Sequence, residues 1–254
     1  MRAQQQLESG LFQHERRLRS VRRTAAHAIS AATCGLGVLV GALGQVSSQE
    51  AQTAALPAMA PIEQYRVASR EEEIALARSA APASISGKAE IMVLGAQGYE
   101  TAVKGTNGFV CLVERSWFAS FGDPQFWNPR IRGPDCLNPA AVKSVLPVDL
   151  ERTQWVLAGV SEAEMQSRTL SSAVAKQAPA SGSMGYMMSK QGHLSDRDGH
   201  WHPHVMFFLP HSTLSVSGAN LPGSPVFGQE GGANEATVLF VTVGQWSDGS
   251  SGSM

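Results

Sequence analysis

Five histidines crowd the stretch between positions 193 and 211: His193, His200, His202, His204 and His211. If His200-Trp201-His202-Pro203-His204 is extended, alternation of side chains places three imidazoles on one strand face. Same-face neighbours on a strand lie about 7 Å apart. Two such rings converge on one ion more readily than three in line. Asp196 and Asp198 stand just before them. Imidazole with carboxylate suits zinc, copper, nickel or iron, and a zinc-bound water is a hydrolytic nucleophile near neutral pH. The metal expectation therefore names His200, His202 and His204, with a divalent transition metal such as zinc as cofactor. Met184, Met187 and Met188 lie nearby as soft donors, although methionines more often fill cores.

The surrounding residues pull the other way. Val205-Met206-Phe207-Phe208 follows the last histidine, so no carboxylate completes a His-x-His pair, and the chain has no His-Glu-x-x-His segment. Asp196-Arg197-Asp198-Gly199 reads as a turn. The histidines serve equally well as a polar strand face beside Trp201, bonded to loop carbonyls. No Gly-x-Ser-x-Gly elbow, Gly-x-x-x-x-Gly-Lys loop or Gly-x-Gly-x-x-Gly turn is present.

A second group with binding chemistry lies in Ser116–Pro139. Gly122, Pro124, Pro129, Gly133 and Pro134 break it into what reads as a long irregular loop carrying Trp117, Phe118, Phe121, Phe126 and Trp127. Long ordered loops commonly carry binding surfaces, so Trp117, Phe121 and Trp127 are the expected ligand contacts. The competing expectation is that they cover a core edge.

The elements that must hold these residues follow from spacing. Ser69 and Glu72, and again Ser161 and Glu164, have the capping-box interval. They predict helices running to about Ala81 and about Lys176. A short helix from Pro139 to Leu146 uses Pro in its first turn. Strands are predicted at Ala89–Leu94, Tyr99–Lys104, Phe109–Arg115, Tyr186–Ser189, His202–Leu209, Leu214–Ser217 and Thr237–Val243. Gly105-Thr106-Asn107-Gly108, between two β-rich runs, predicts a hairpin. Phe109–Arg115 is apolar on both faces and should be central. The expected fold is α+β, a mostly antiparallel sheet with two or three helices packed to one side. It occupies residues 69–246 as a single globular domain.

Residues 1–48 differ from the rest. Arg16, Arg17, Arg19, Arg22 and Arg23 precede an uncharged run from Thr24 to Gly44, then Val46-Ser47-Ser48. Positive, apolar, then small is the order of a secretory signal. Val21-Arg22-Arg23 would make a better-proportioned start for it. Residues 49–68 read as a flexible leader and 247–254 as a loose tail. Without residues 1–48 the chain keeps 14 of its 20 basic and 19 of its 21 acidic residues, a net charge of −5. Such a balance argues against nucleic acid and against an anionic membrane surface. Membrane attachment is expected only if the signal stays uncleaved. Cys111 and Cys136, 25 positions apart, are expected to form a disulfide in a periplasmic or extracellular setting. The sequence thus leads to an exported, non-enzymatic binding or stress-related module for a small ligand. The alternative is a metal-binding protein or metal-dependent hydrolase built on the histidines.

Overall fold

The run Val110-Cys111-Leu112-Val113-Glu114 is apolar on both sides, so a sheet built around it needs cover on both faces. The computed structural model describes residues 58–196, 201–212, 214–232 and 234–252. The signal-like segment 1–48, residues 49–57 of the leader and His200 lie outside the described residues. Eight strands form one sheet: β1 Glu90–Gly95, β2 Gly98–Val103, β3 Val110–Glu114, β4 Gly133–Leu137, β5 Met184–Met187, β6 His204–Leu209, β7 Val226–Gln229 and β8 Thr237–Thr242. Their order is β2-β1-β3-β4-β5-β6-β8-β7. Every neighbouring pair is antiparallel except β1 with β3. The helices are α1 Arg70–Arg78, α2 Ala83–Ser86, α3 Pro139–Ser144, α4 Leu146–Leu157 and α5 Glu162–Ser171. The fold is α+β with a mostly antiparallel sheet. Among the described residues no helix is long and apolar enough to cross a membrane.

Capping works as the spacing predicts. The Ser69 hydroxyl accepts from Glu72 N at 3.1 Å, and Ser161 accepts from Glu164 N at 3.3 Å, each meeting one of the orphan donors of a first turn. Asn138 caps α3 by accepting from Ala141 N at 2.9 Å, and it also accepts from Met184 N at 3.2 Å, tying the helix to β5.

The helices divide between the two sheet faces. α1 covers Ile91, Cys111, Val113 and Cys136 through Ile74 and Ala77. Leu146 and Leu150 of α4, with Ala141 of α3, cover Val110, Leu112 and Leu137 on the other face. Cys111 and Cys136 stand directly opposite each other in the β3–β4 ladder and form a disulfide. Beside it Arg115 and Glu73 make a buried ion pair at 2.7 Å. Arg115 also donates to the carbonyls of Tyr65 and Val113, and Glu73 accepts from Leu94 N. A buried pair of charges is tolerated when its remaining groups are bonded in this way.

Three local expectations change. The hairpin predicted at Gly105–Gly108 is not one, because β1 lies between β2 and β3. Asn107 instead accepts from Phe109 N and donates to Ile85 O, so its side chain shapes a crossover connection. The tight hairpin is one turn earlier, with Gly95 paired to Gly98 across Ala96-Gln97 and Gly98 at φ 111°. The irregular loop 116–139 contains the central strand β4, and Leu214–Val216 is a 3-10 turn, not a strand.

Candidate functional site

Helix α4 brings the site together. Pro147 sits in its first turn, where a missing N–H costs nothing. Leu146, Leu150 and Val156 face the protein interior, and Asp149 and Arg152, three residues apart, share a neighbouring stripe. That stripe borders a cavity of about 510 Å³, inside the ~300–1,000 Å³ range of small-molecule sites. Phe118, Val145, Val148, Phe208 and Val238 supply apolar wall, and Asp149, Arg152, Glu235, Lys176 and His211 supply the charged or titratable groups. Segment 175–179 closes one side. The Ser144 hydroxyl fixes it by accepting from Ala180 N at 2.9 Å and pairing with the Ser183 hydroxyl at 3.1 Å. Asn234, in the left-handed region at φ 66°, donates to the carbonyls of Thr169 and Leu170, so α5 is tied to the loop that borders the cavity.

Arg152 is held from several sides. It donates to Ala119 O at 2.8 Å and to Trp117 O at 3.2 Å, pairs with Glu235 at 2.8 Å, and stacks over the Phe121 ring at 4.4 Å. Its Nε is buried without a partner among the described residues. Asp149 is pushed up to about 7, by burial first, with the Arg152 charge acting against it. Behind it, on the same sheet face, stand Asp135 and Glu114. Asp135 is fully buried, and neither of its oxygens has a well-formed hydrogen bond among the described residues. Burial and then the Asp149 charge push it up to about 7. Burial, then the charges of Asp135 and Asp149, raise Glu114 well above the usual carboxylate range. Burial thus holds the three carboxyls of this corner above the range of exposed acids. Gly185 makes room for it, since a Cβ there would fall 2.5 Å from Asp135 Oδ1.

The histidines do not form one group. His193 Nε2 lies 2.6 Å from Asp196 Oδ1, and Asp196 also binds Arg130 at 2.5 Å and Asn128 at 2.9 Å. Burial alone would raise Asp196, but these three partners hold it below the ordinary carboxylate value. His204 lies on β6 with Nδ1 2.9 Å from His202 O and its ring edge-on to Trp201 and Phe240. Burial lowers its pKa, and its Nε2 has no partner among the described residues. His211 borders the cavity. Among the described residues no three His, Cys, Asp or Glu side chains are grouped to hold a metal ion; His200 lies outside them.

The loop aromatics are mostly core. Trp117 is fully buried, donates to Thr153 Oγ1 at 3.1 Å and packs on Tyr65 at 5.0 Å. Trp127 is buried edge-on to Phe126. Phe121 is the one of the three that reaches the site, through Arg152. Asp149, Arg152 and Glu235 were not singled out by sequence. The available signal was an acid and a base three apart inside the apolar period of 146–157, obscured by Pro147. The chain matches no family model, no curated protein and no solved structure.

Proposed function

We propose that this chain is a non-enzymatic binding module whose ligand is a small, largely apolar molecule held in the cavity beside α4. One observation carries the reading: an apolar-walled space of about 510 Å³ whose polar groups gather at Asp149 and Arg152. A concave apolar site with a few convergent polar groups is the usual form of a small-molecule site. The disulfide supports an oxidising, extracytoplasmic setting. Calorimetric titration of the purified chain with octan-1-ol tests the proposal. Saturable binding that is lost in Val148→Trp, a variant that fills the space, is the expected result. No saturable heat, or binding unchanged by Val148→Trp, contradicts it.

A metal-binding role has one supporting observation, the buried unpartnered Nε2 of His204. It predicts stoichiometric zinc on the full chain that is lost in His202→Ala plus His204→Ala. Metal analysis after zinc incubation that finds none removes this reading.

A further inference from the structure

We infer that the ligand of this cavity is an apolar carboxylic acid whose carboxylate is held between Arg152 and Asp149 on the cavity wall. The inference rests on the cavity being the binding site, and it adds the chemical class. Both oxygens of Glu235 already serve protein donors: Oε1 takes Arg152 and Oε2 takes Gly232 N, both at 2.8 Å. Arg152 uses both terminal nitrogens on protein oxygens and leaves Nε without a partner, in a side chain that is only 6 % exposed. Lys176 lies at the rim and has no ion pair among the described residues. Arg152 Nε and the Lys176 ammonium are thus donors that an anion would satisfy.

Asp149 decides between an acid and an amine. A cation beside it would also sit beside the Arg152 guanidinium, one helical turn away. An anion beside it pairs with Arg152 and accepts the proton that Asp149 keeps, in a short charge-assisted O–H···O hydrogen bond. The other groups around Asp149 agree. Burial and the Asp149 charge raise both Glu114 on β3 and Asp135 on β4, and Tyr99 on β2 is kept neutral by burial. Lys176, His211 and Glu235, the last paired with Arg152, line the same cavity. The remaining walls, Phe118, Val145, Val148, Phe208 and Val238, accept a hydrocarbon body.

The consequence is a proton-linked affinity. Burial pushes Asp149 up to about 7. A ligand that binds only its protonated form therefore loses about tenfold in affinity between pH 6 and pH 8. Ionised Asp135 adds repulsion in the same direction. The test uses the full chain and three probes of equal length, octanoate, octan-1-ol and octylamine, titrated at both pH values. Octanoate should bind tightest at pH 6 and weaken about tenfold or more by pH 8, while octan-1-ol stays level. Asp149→Asn, which removes the titrating group, should flatten the pH dependence of octanoate binding, a readout that does not require removing the structurally engaged Arg152. Octanoate no tighter than octan-1-ol overturns the inference and leaves the cavity reading standing. Octylamine binding tightest, and tighter at pH 8, overturns it in favour of a cationic ligand. Failure of all three probes overturns the cavity reading itself.

Discussion

The two halves of the sheet have the same kind of strand and opposite fates. β3 and β4 are covered on both faces, by α1 on one side and α3–α4 on the other, and are joined by the Cys111–Cys136 bond. β6, β8 and β7 are only half-covered, and Phe207 and Phe227 are 37 % and 51 % exposed. Two buried arginines make a second contrast, one inside the closed half and one at its border. Arg115 meets a carboxylate and two carbonyls in a sealed setting. Arg152 meets a comparable set but lies on a cavity and keeps one donor unmet. The same chemistry is sealed into the fold at Arg115 and borders open space at Arg152, where we propose that it binds a ligand.

The largest break in this contrast should come from Arg115→Ala. It strands Glu73 in the interior and should cost about 3–5 kcal/mol in chemical denaturation, the usual cost of orphaning a buried charge. Next is the double change Cys111→Ala plus Cys136→Ala. It frees a loop of 25 residues and should lower stability by about 3 kcal/mol.

A smaller effect sharpens the comparison at the border between the halves. Asp135 and Asp149 have an ordinary value of 3.8 and are pushed to about 7 by burial. The folded state binds their protons more tightly than the unfolded state does. Their favourable contribution is complete below about pH 4 and is lost as pH rises through about 7. Denaturation midpoints should therefore fall between pH 5 and pH 8. Asp135→Asn should recover about 1–3 kcal/mol at pH 8 and flatten that fall. A midpoint that rises over the same interval would show that the acids are ionised in the fold. The smallest effect belongs to the open half: Phe227→Ser, at a side chain 51 % exposed, should cost about 1 kcal/mol.

Much of the closed half was legible in the sequence, and the reason is local. Ser69 and Ser161 announce their helices by a contact within one turn, and the apolar run Phe109–Arg115 announces its own burial on both faces. The cysteine pair was also readable, although its partner strand was not. β4 was hidden by Pro134, which lacks the N–H a central ladder needs. The β4–β5 ladder spans only Cys136 and Leu137, so Pro134 stands beyond that pairing. The site was less legible. Pro147 looks like the end of a helix and is the start of one, so Asp149 and Arg152 were not placed on a common face. The meeting of Arg152 with Glu235 spans 83 positions, and no local pattern reports a contact of that range. The histidines show the converse. Their closeness in sequence suggested one centre, while the turn after His193 and the strand from His204 to Leu209 separate His193, His204 and His211.

Methyl-resolved NMR of the full chain, titrated with octan-1-ol, tests the central claim most directly. The account predicts that the methyl signals of Val145, Val148 and Val238 shift together and saturate, while those of Ile91 and Val113 in the closed half stay in place. Shifts confined to Ile91 and Val113, or no saturable shift at the three valines, would contradict it.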